Sequence, residues 1–132
     1  MGAPRFHGLS PLIMVSDVDR SVTFYTDVLG FEKVIRNDDH NYAMLRREGA
    51  WLALIQNTSD EARKVTSENT AAQIWVSEID ALWEEIEPLI KDMPDIRAKA
   101  PHDRDYGVRE IHLTDPDGFL MFLTQDPTLK TD

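Results

Sequence analysis

The side chains with the clearest chemical potential in this chain are Glu110 and His112, which stand two residues apart. Glutamate and histidine are common general acids and bases. In a β-strand, residues two apart point to the same side of the sheet, so these two share one face, while Ile111 and Leu113 share the other. The strand rise separates the Cα atoms of the pair by about 7 Å, so the two side chains need not meet at one substrate atom.

A tight turn at residues 115–118 places this pair on a strand. Pro116 sets the φ angle of the second turn position, the Asp115 carboxylate can accept backbone N–H bonds, and Gly118 can adopt the positive φ that closes the turn. The flanking segments are therefore predicted to be the two strands of a β-hairpin. The polar face of its first strand must look toward water, a ligand or a partner.

Two interpretations of this polar face remain open. Glu110 and His112 could move a proton on a carbonyl substrate, or they could serve a dimer interface or a solvated rim. We favour the second interpretation, which makes the chain a binding protein rather than an enzyme. Tyr106 and Arg109 likewise either touch a ligand or pin the hairpin. Arg109 is two residues from Ile111 and so points to the same side of the strand, which predicts that Arg109 lies on the outer surface.

The sequence offers few ligands for a transition metal. It contains no cysteine and four histidines, so disulfides, thiolate zinc sites and cysteine nucleophiles are excluded. His40 and His102 lie in charged stretches typical of turns, and His112 is predicted to be alone on its strand. We therefore predict no metal site and no cofactor. Nucleotide-binding motifs such as the P-loop are also missing from the sequence.

The charge balance narrows the possible partners. The formal net charge of −10 and the sequence pI of about 4.7 argue against nucleic acid, which is bound through lysine and arginine, and favour a cationic ligand. Acidity for solubility alone is the competing explanation. No apolar run approaches the roughly 20 residues of a membrane span and no leader opens the chain, so we expect a cytoplasmic protein with no membrane partner.

Hydrophobic periodicity divides the 132 residues into two similar halves, each predicted to fold as a strand, a helix and three further strands. The predicted fold class is α+β, with one domain over residues 1–132 and βαβββ modules at about residues 8–57 and 70–126. The predicted strands are residues 9–16, 32–37, 42–47, 50–56, 71–77 and 96–100 and the two hairpin strands, and the predicted helices are residues 19–29 and 79–90. Residues 57–69 are predicted to be a linker, and the tail at 126–132 is expected to be frayed.

Two segments resemble the hallmarks of one superfamily. The first, VSDVDRSVTFYTDVLGF at residues 15–31, has a helix N-cap at Asp17 or Asp19 and a helix stop at Gly30, and the second is YGVREIHLTDPDGF at residues 106–119. Together they resemble the vicinal-oxygen-chelate superfamily of glyoxalases, extradiol dioxygenases, fosfomycin-resistance transferases and bleomycin-resistance proteins. The resemblance implies that each module curls into half of an open β-barrel, with its helix outside and a cleft on the concave inner face.

Metal-dependent members of this superfamily take their ligands from four positions in the cleft. By the resemblance these positions fall on Ser10, Ala53, Gln73 and Phe122. Alanine and phenylalanine carry no ligand atom, and of the four only Gln73 is a tolerable oxygen donor. Because glyoxalases, extradiol dioxygenases and fosfomycin transferases need a metal at these positions, the loss of its ligands argues against all three. It supports the prediction of a protein without metal.

Apolar and aromatic side chains replace the metal ligands. Such a surface suits a flat hydrophobic or cationic molecule, because aromatic faces offer rigid contact area and attract positive charge. The alternative is that Trp51, Trp75 and Phe122 fill the core of the barrel. The residues predicted to bind the ligand are Tyr42, Met44, Trp51, Gln73, Trp75, Glu110, His112 and Phe122. Tyr42 and Met44 belong to this set only if their strand is in register with its neighbour.

The second half is most similar to the bleomycin-resistance proteins, through the run QIWVSEIDALWEEIEPL at residues 73–89 and the hairpin that follows. Those proteins are homodimers that hold an antibiotic in clefts between subunits and do no chemistry on it. The resemblance implies a homodimer that sequesters a small molecule and confers antibiotic resistance. A lyase or isomerase that uses Glu110 and His112 as acid and base is the alternative, and an accessory domain with a filled cleft is the third.

Overall fold

The computed structural model describes residues 2–128, and this part of the chain contains eight strands and three helices. The strands are β1 (Leu12–Val15), β2 (Glu32–Asn37), β3 (Tyr42–Arg47), β4 (Ala50–Gln56), β5 (Ala71–Val76), β6 (Ala98–Asp103), β7 (Arg109–Thr114) and β8 (Leu120–Gln125), and the helices are α1 (Val18–Asp27), α2 (Asp60–Asn69) and α3 (Ile79–Ile90). Both ends of the predicted domain, including residues 129–132 of the tail, lie outside the described residues.

The strands form two four-stranded sheets with the same topology. Their orders are β1-β4-β3-β2 in the first and β5-β8-β7-β6 in the second. In the first sheet β1 runs parallel to β4, and in the second sheet β5 runs parallel to β8. All other neighbouring strands are antiparallel. This is the βαβββ module repeated, which confirms the predicted α+β fold class. The two sheets stay open and do not close into one barrel.

The core forms between the helices and the helix-facing sides of both sheets. Ile111 and Leu113 are fully buried, as the alternation along their strand predicts. Apolar side chains from the two halves belong to one continuous cluster, which includes Ile13, Tyr25, Leu45, Leu54, Ile79, Ile86 and Met121. Because this cluster uses one side of each sheet, the other side of each sheet remains available for a ligand or a partner.

Local chemistry accounts for the ends of the first helix and for the hairpin turn. The Asp17 side chain accepts a 3.2 Å hydrogen bond from the backbone N of Arg20, so Asp17 rather than Asp19 is the N-cap of α1. Gly30 follows α1 with φ 70°, and Gly118 closes the hairpin turn with φ 87°. Asp115 Oδ1 accepts from two backbone N–H groups of this turn, as its sequence chemistry predicts.

The predicted linker is wrong, because most of it forms helix α2. Ser59 caps this helix by accepting a 3.2 Å hydrogen bond from the backbone N of Ala62, and two acidic residues occupy the first turn. The capping residues were the available signal. Hydrophobic periodicity gave none, because no residue of α2 is buried. The helix places Arg63 3.7 Å from Asp117 of the hairpin turn.

The predicted boundaries of β6 are also wrong, since the strand runs over residues 98–103 rather than 96–100. It is one of the two edge strands of the second sheet and contains Pro101, which lacks a backbone N–H. A register shift between Lys99 and His102 accommodates this irregular stretch. His102 therefore lies on a strand and not in a turn. None of the helices in residues 2–128 has the length and apolar character needed to cross a membrane.

Candidate ligand-binding site

The side of the second sheet that faces away from the core carries a polar and aromatic set of side chains, which we call the inner face of the second sheet. In the strand register, Glu110 lies opposite Thr124 and His112 lies opposite Phe122. Gln73 of β5 is the neighbour of Phe122 on the parallel side. Paired residues of neighbouring strands project to the same side, so one surface presents all five side chains.

A hydrogen-bond network holds the carboxylate of Glu110 at the centre of this face. Glu110 has no exposed surface. Its Oε2 accepts hydrogen bonds from the Tyr106 hydroxyl at 2.8 Å and from Thr124 Oγ1 at 2.9 Å. The Gln73 amide in turn donates to Thr124 Oγ1 at 3.1 Å. Tyr106 thus pins the hairpin, one of the two roles open to it on sequence grounds.

Glu110 and His112 are in direct contact, although the strand repeat alone allowed them to remain apart. His112 Nε2 lies 3.0 Å from Glu110 Oε1. Arg104 approaches the same oxygen, with its Nε at 3.6 Å. The carboxylate therefore has polar partners on both oxygens, which satisfies a buried charge that would otherwise be costly.

Opposing effects act on the pKa of Glu110. Burial raises the pKa, but the hydrogen bonds from His112, Tyr106 and Thr124 together outweigh burial and leave it below its usual range. The hydrogen bond to Glu110 raises the pKa of Tyr106. Glu110 is consequently ionised at neutral pH, and the Arg104 guanidinium beside it balances the negative charge.

The histidines are arranged differently from the sequence prediction. His102 lies opposite Glu110 in the pairing of β6 with β7. Its ring packs edge-on against His112, with ring centroids 4.7 Å apart, and His112 packs in the same way against Phe122 at 4.6 Å. The predictions that His102 lies in a turn and that His112 is alone are both wrong. The predicted strand ended at Ala100, before Pro101, so only the register of β6 with β7 brings His102 to this face.

Arg109 lies on the other side of β7, where it forms ion pairs. Its guanidinium is 2.9 Å from a carboxylate oxygen of Asp80 in α3 and 3.2 Å from one of Asp103. This position agrees with the outer-surface prediction and removes Arg109 from the candidate site.

The first sheet presents a more apolar inner face. Tyr42 pairs with Ile55, and Met44 pairs with Ala53, which confirms the register on which the choice of Tyr42 and Met44 depended. Three apolar side chains on this side are strongly exposed, namely Leu12, Ile35 and Ile55. Among residues 2–128, no hydrogen bond, ion pair or ring contact joins Tyr42 or Met44 to the inner face of the second sheet.

The two tryptophans of the predicted site come from different sheets and line one groove. The groove has a volume of about 740 Å³ and runs between the edge strands β1 and β5. Trp75 is 54% exposed, so it does not fill the core. Trp51 is half-buried, and the guanidinium of Arg46 lies 5.1 Å from its ring centroid. Gln73 also lines the groove, and its hydrogen bond to Thr124 connects it to the Glu110 network.

These features match a known family. Residues 8–122 match the family model described as Glyoxalase/Bleomycin resistance protein/Dioxygenase superfamily. The chain belongs to this superfamily. The bleomycin-binding protein from the bleomycin-producing Streptomyces verticillus, solved with copper(II)-bleomycin, is 28% identical with a TM-score of 0.75, covering 94% of this chain and 99% of that chain. No curated protein matches the chain in sequence.

Two further solved structures show the same fold. The bleomycin resistance determinant encoded on the transposon Tn5 is 21% identical with a TM-score of 0.72, covering 90% of this chain and 97% of that chain. A bleomycin-binding protein complexed with bleomycin is 20% identical with a TM-score of 0.72, covering 89% and 97%. The structural neighbours of this superfamily member thus include bleomycin-binding and bleomycin-resistance proteins.

The metal positions of the superfamily do not fit a metal in this member. Ser10 precedes β1 and is exposed, and Ala53 is buried beside Leu12 without a ligand atom. Gln73 donates its amide to Thr124, and Phe122 places a ring against His112. Two of the four positions therefore offer no donor atom, and no reaction step is assigned to a metal held there.

Proposed function

We propose that this protein is a non-catalytic binding protein that sequesters a small hydrophobic or cationic molecule, as a bleomycin-resistance protein does. The observation that carries the proposal is the groove lined by both Trp51 and the exposed Trp75. Gln73 also lines this groove and reaches Glu110 only through Thr124. A tryptophan that is more than half exposed offers contact area that the folded chain itself does not use. The proposed binding residues are Tyr42, Met44, Trp51, Gln73, Trp75, Glu110, His112 and Phe122.

Charge favours a cationic ligand over an anionic one. The chain has a formal net charge of −10, which attracts positively charged molecules from a distance. Close to the surface, the faces of Trp75 and Phe122 attract a cation through their π electrons. A flat cationic antibiotic combines both requirements.

The proposal includes ligand binding without a metal, because Ala53 and Phe122 leave the metal positions of the superfamily incomplete. It also includes one domain over residues 1–132, with modules at about 8–57 and 70–126, a cytoplasmic location and an antibiotic-resistance role. These assignments follow from the resemblance and from composition.

The proposal further includes a homodimer. The exposed apolar side chains Leu12, Ile35 and Ile55 leave the inner face of the first sheet uncovered. A second copy that places its own inner face of the second sheet over this surface would bury them and enclose the ligand between subunits. Sedimentation equilibrium should give twice the chain mass of 15.1 kDa, and a monomer at micromolar concentration would contradict this part of the proposal.

The binding proposal is tested by tryptophan fluorescence in excess EDTA. The variant Trp83→Phe removes the one tryptophan that does not line the groove and leaves Trp51 and Trp75 as reporters. Titration with bleomycin and with a panel of aromatic cationic antibiotics should give saturable quenching by at least one compound. Silence in EDTA, followed by a response only after a divalent metal is added, would contradict metal-independent binding.

The direct contact between His112 Nε2 and Glu110 Oε1 supports a second candidate, a lyase or isomerase of the superfamily. Such an enzyme would exchange a proton at a carbon next to a carbonyl group, with this pair as base and acid. Deuterium incorporation from D₂O into small ketones and aldehydes, followed by NMR, tests it. Exchange that is lost in Glu110→Gln would favour the enzyme, and no exchange above the uncatalysed rate would favour the binding protein.

A further inference from the structure

We propose that His102, Glu110 and His112 form a binding site for a divalent transition-metal ion of the zinc or copper type. Their nearest ligating atoms all lie within 4.8 Å of one another, and no other group of three such residues comes together within residues 2–128. All three residues lie on β6 and β7, whereas the four metal positions of the superfamily lie on or next to other strands. The site is therefore distinct from that of the metal-dependent members.

The hydrogen bonding of His102 prepares it as a ligand. His102 Nδ1 lies 2.8 Å from the carbonyl oxygen of Ala100. A carbonyl oxygen only accepts, so Nδ1 carries the proton and Nε2 carries the lone pair. This Nε2 atom is buried and has no hydrogen-bond partner within the described part of the chain. A buried acceptor without a partner is costly, and a bound metal ion would satisfy it.

The other two residues complete a ligand set suited to zinc or copper. Two histidines and one carboxylate form the protein ligands of many zinc sites with an open fourth position, and imidazole also suits copper. His112 Nε2 and Glu110 Oε1 are already 3.0 Å apart. Tyr106 and Thr124 hold the second oxygen, Oε2, and so orient the carboxylate as outer-shell partners of metal ligands do.

Arg104 opposes the metal ion and also shows that the site accepts positive charge. Its Nε lies 3.6 Å from Glu110 Oε1, and its Nη1 lies 3.4 Å from His112 Nε2. The side chain is 35% exposed, so it can turn into water when an ion arrives. Removal of Arg104 should consequently strengthen metal binding, whereas binding at an unrelated surface site would not respond to this change.

The proposal is tested with zinc alone on chelator-stripped protein, by titration calorimetry against a competing chelator. The wild type should bind one equivalent. His102→Ala should weaken zinc affinity at least about tenfold, and Arg104→Ala should strengthen it about tenfold through the loss of one nearby positive charge. The matched control is His40→Ala, because His40 is exposed and lies in the turn between β2 and β3. The zinc affinity of this variant should equal that of the wild type.

A second measurement identifies the metal ligands directly and so does not depend on small changes in affinity. Electron paramagnetic resonance of one equivalent of Cu²⁺ should show coupling to two imidazole nitrogens in the wild type and to one in His102→Ala. Absence of stoichiometric binding, or a His102→Ala variant that binds either metal like the wild type, would overturn the proposal. Thermal unfolding checks that each variant is folded. Because no organic ligand is used, the result does not depend on the sequestration function proposed above.

Discussion

The hydroxyl of Tyr25 in α1 donates a 2.9 Å hydrogen bond to Oδ2 of Asp115 in the turn between β7 and β8, and so joins the two halves of the chain. Both side chains are fully buried. A second link lies next to it, where the backbone N of Ser16 donates to Asp117 Oδ2 at 3.0 Å. One turn therefore closes the hairpin of the second half and also seats the first half against it.

This link makes the stability of the fold dependent on pH. Burial raises the pKa of Asp115 to about 6, although hydrogen bonds from the Phe119 and Asp117 backbone and from Tyr25 favour the charged form. The unfolded pKa is about 3.9, so the folded protein holds the proton more tightly. The contribution of Asp115 to the free energy of unfolding is thus fully present below about pH 4 and is lost as pH rises through about 6. Two pKa units correspond to about 3 kcal/mol.

The variant Asp115→Asn should remove this loss. The amide keeps an acceptor for the two turn N–H groups and stays uncharged. The free energy of unfolding of the variant should therefore rise relative to that of the wild type as pH increases from about 4 through about 6, and the difference should then stay constant. Urea denaturation across this range measures the difference. The groups that face Asp115 are Tyr25 and the Asp117 carboxylate, and Arg63 pairs with the latter. A difference that does not change with pH would contradict the assignment, and the exposed substitution Asp39→Asn is the control.

The coupling between Tyr25 and Asp115 can be measured directly. Tyr25→Phe removes the hydroxyl and leaves Asp115 Oδ2 without its donor, which should cost about 1–3 kcal/mol at neutral pH. A double-mutant cycle with Asp115→Ala, which removes the carboxylate entirely, should give a coupling energy of similar size. As a control, Tyr25→Phe is combined with Ser59→Ala, which removes the N-cap of α2. The effects of these two changes on the free energy of unfolding should add. Additivity of the Tyr25 and Asp115 changes would mean that the hydrogen bond does not stabilise the fold.

The two groove tryptophans should be anchors for the proposed ligand. Trp75→Ala and Trp51→Ala are each expected to weaken the affinity for the best antibiotic of the panel by about 2 kcal/mol, because buried aromatic contacts dominate binding sites. The readout is calorimetric titration, since these changes remove the fluorescent reporters. Trp83→Phe, outside the groove, should bind like the wild type. If both alanine variants bind as tightly as the wild type, the ligand lies elsewhere.

Helix α2 should depend on its cap, because no residue of the helix is buried. Ser59→Ala removes the acceptor for the Ala62 backbone N–H and should lower the stability of α2 by about 1 kcal/mol. Amide hydrogen exchange of residues 62–69 should become faster, while exchange in β7 and β8 stays unchanged. Ser59→Asp, which restores an acceptor, should recover the protection.

Much of the fold was predictable from local patterns. The predicted bounds of β2, β3, β4 and α3 agree with the structure, because alternation and helical spacing record which face of each element is buried. Helix α2 was missed because it has no buried face, and β6 was misplaced because Pro101 and a register shift interrupt its pattern. Both errors occur where burial leaves little trace in the sequence.

The sequence by itself determined the repeated βαβββ module, the turn chemistry of residues 115–118 and the side of the strand on which Glu110 and His112 lie, since each of these depends on neighbouring residues. Only the tertiary structure decided which side chains meet. The pairing of β6 with β7 brings His102 to Glu110, and the packing of α1 against the hairpin turn brings Tyr25 to Asp115. Such contacts depend on register and packing between segments far apart in the chain, where many weak interactions act together and no short stretch of sequence specifies the outcome.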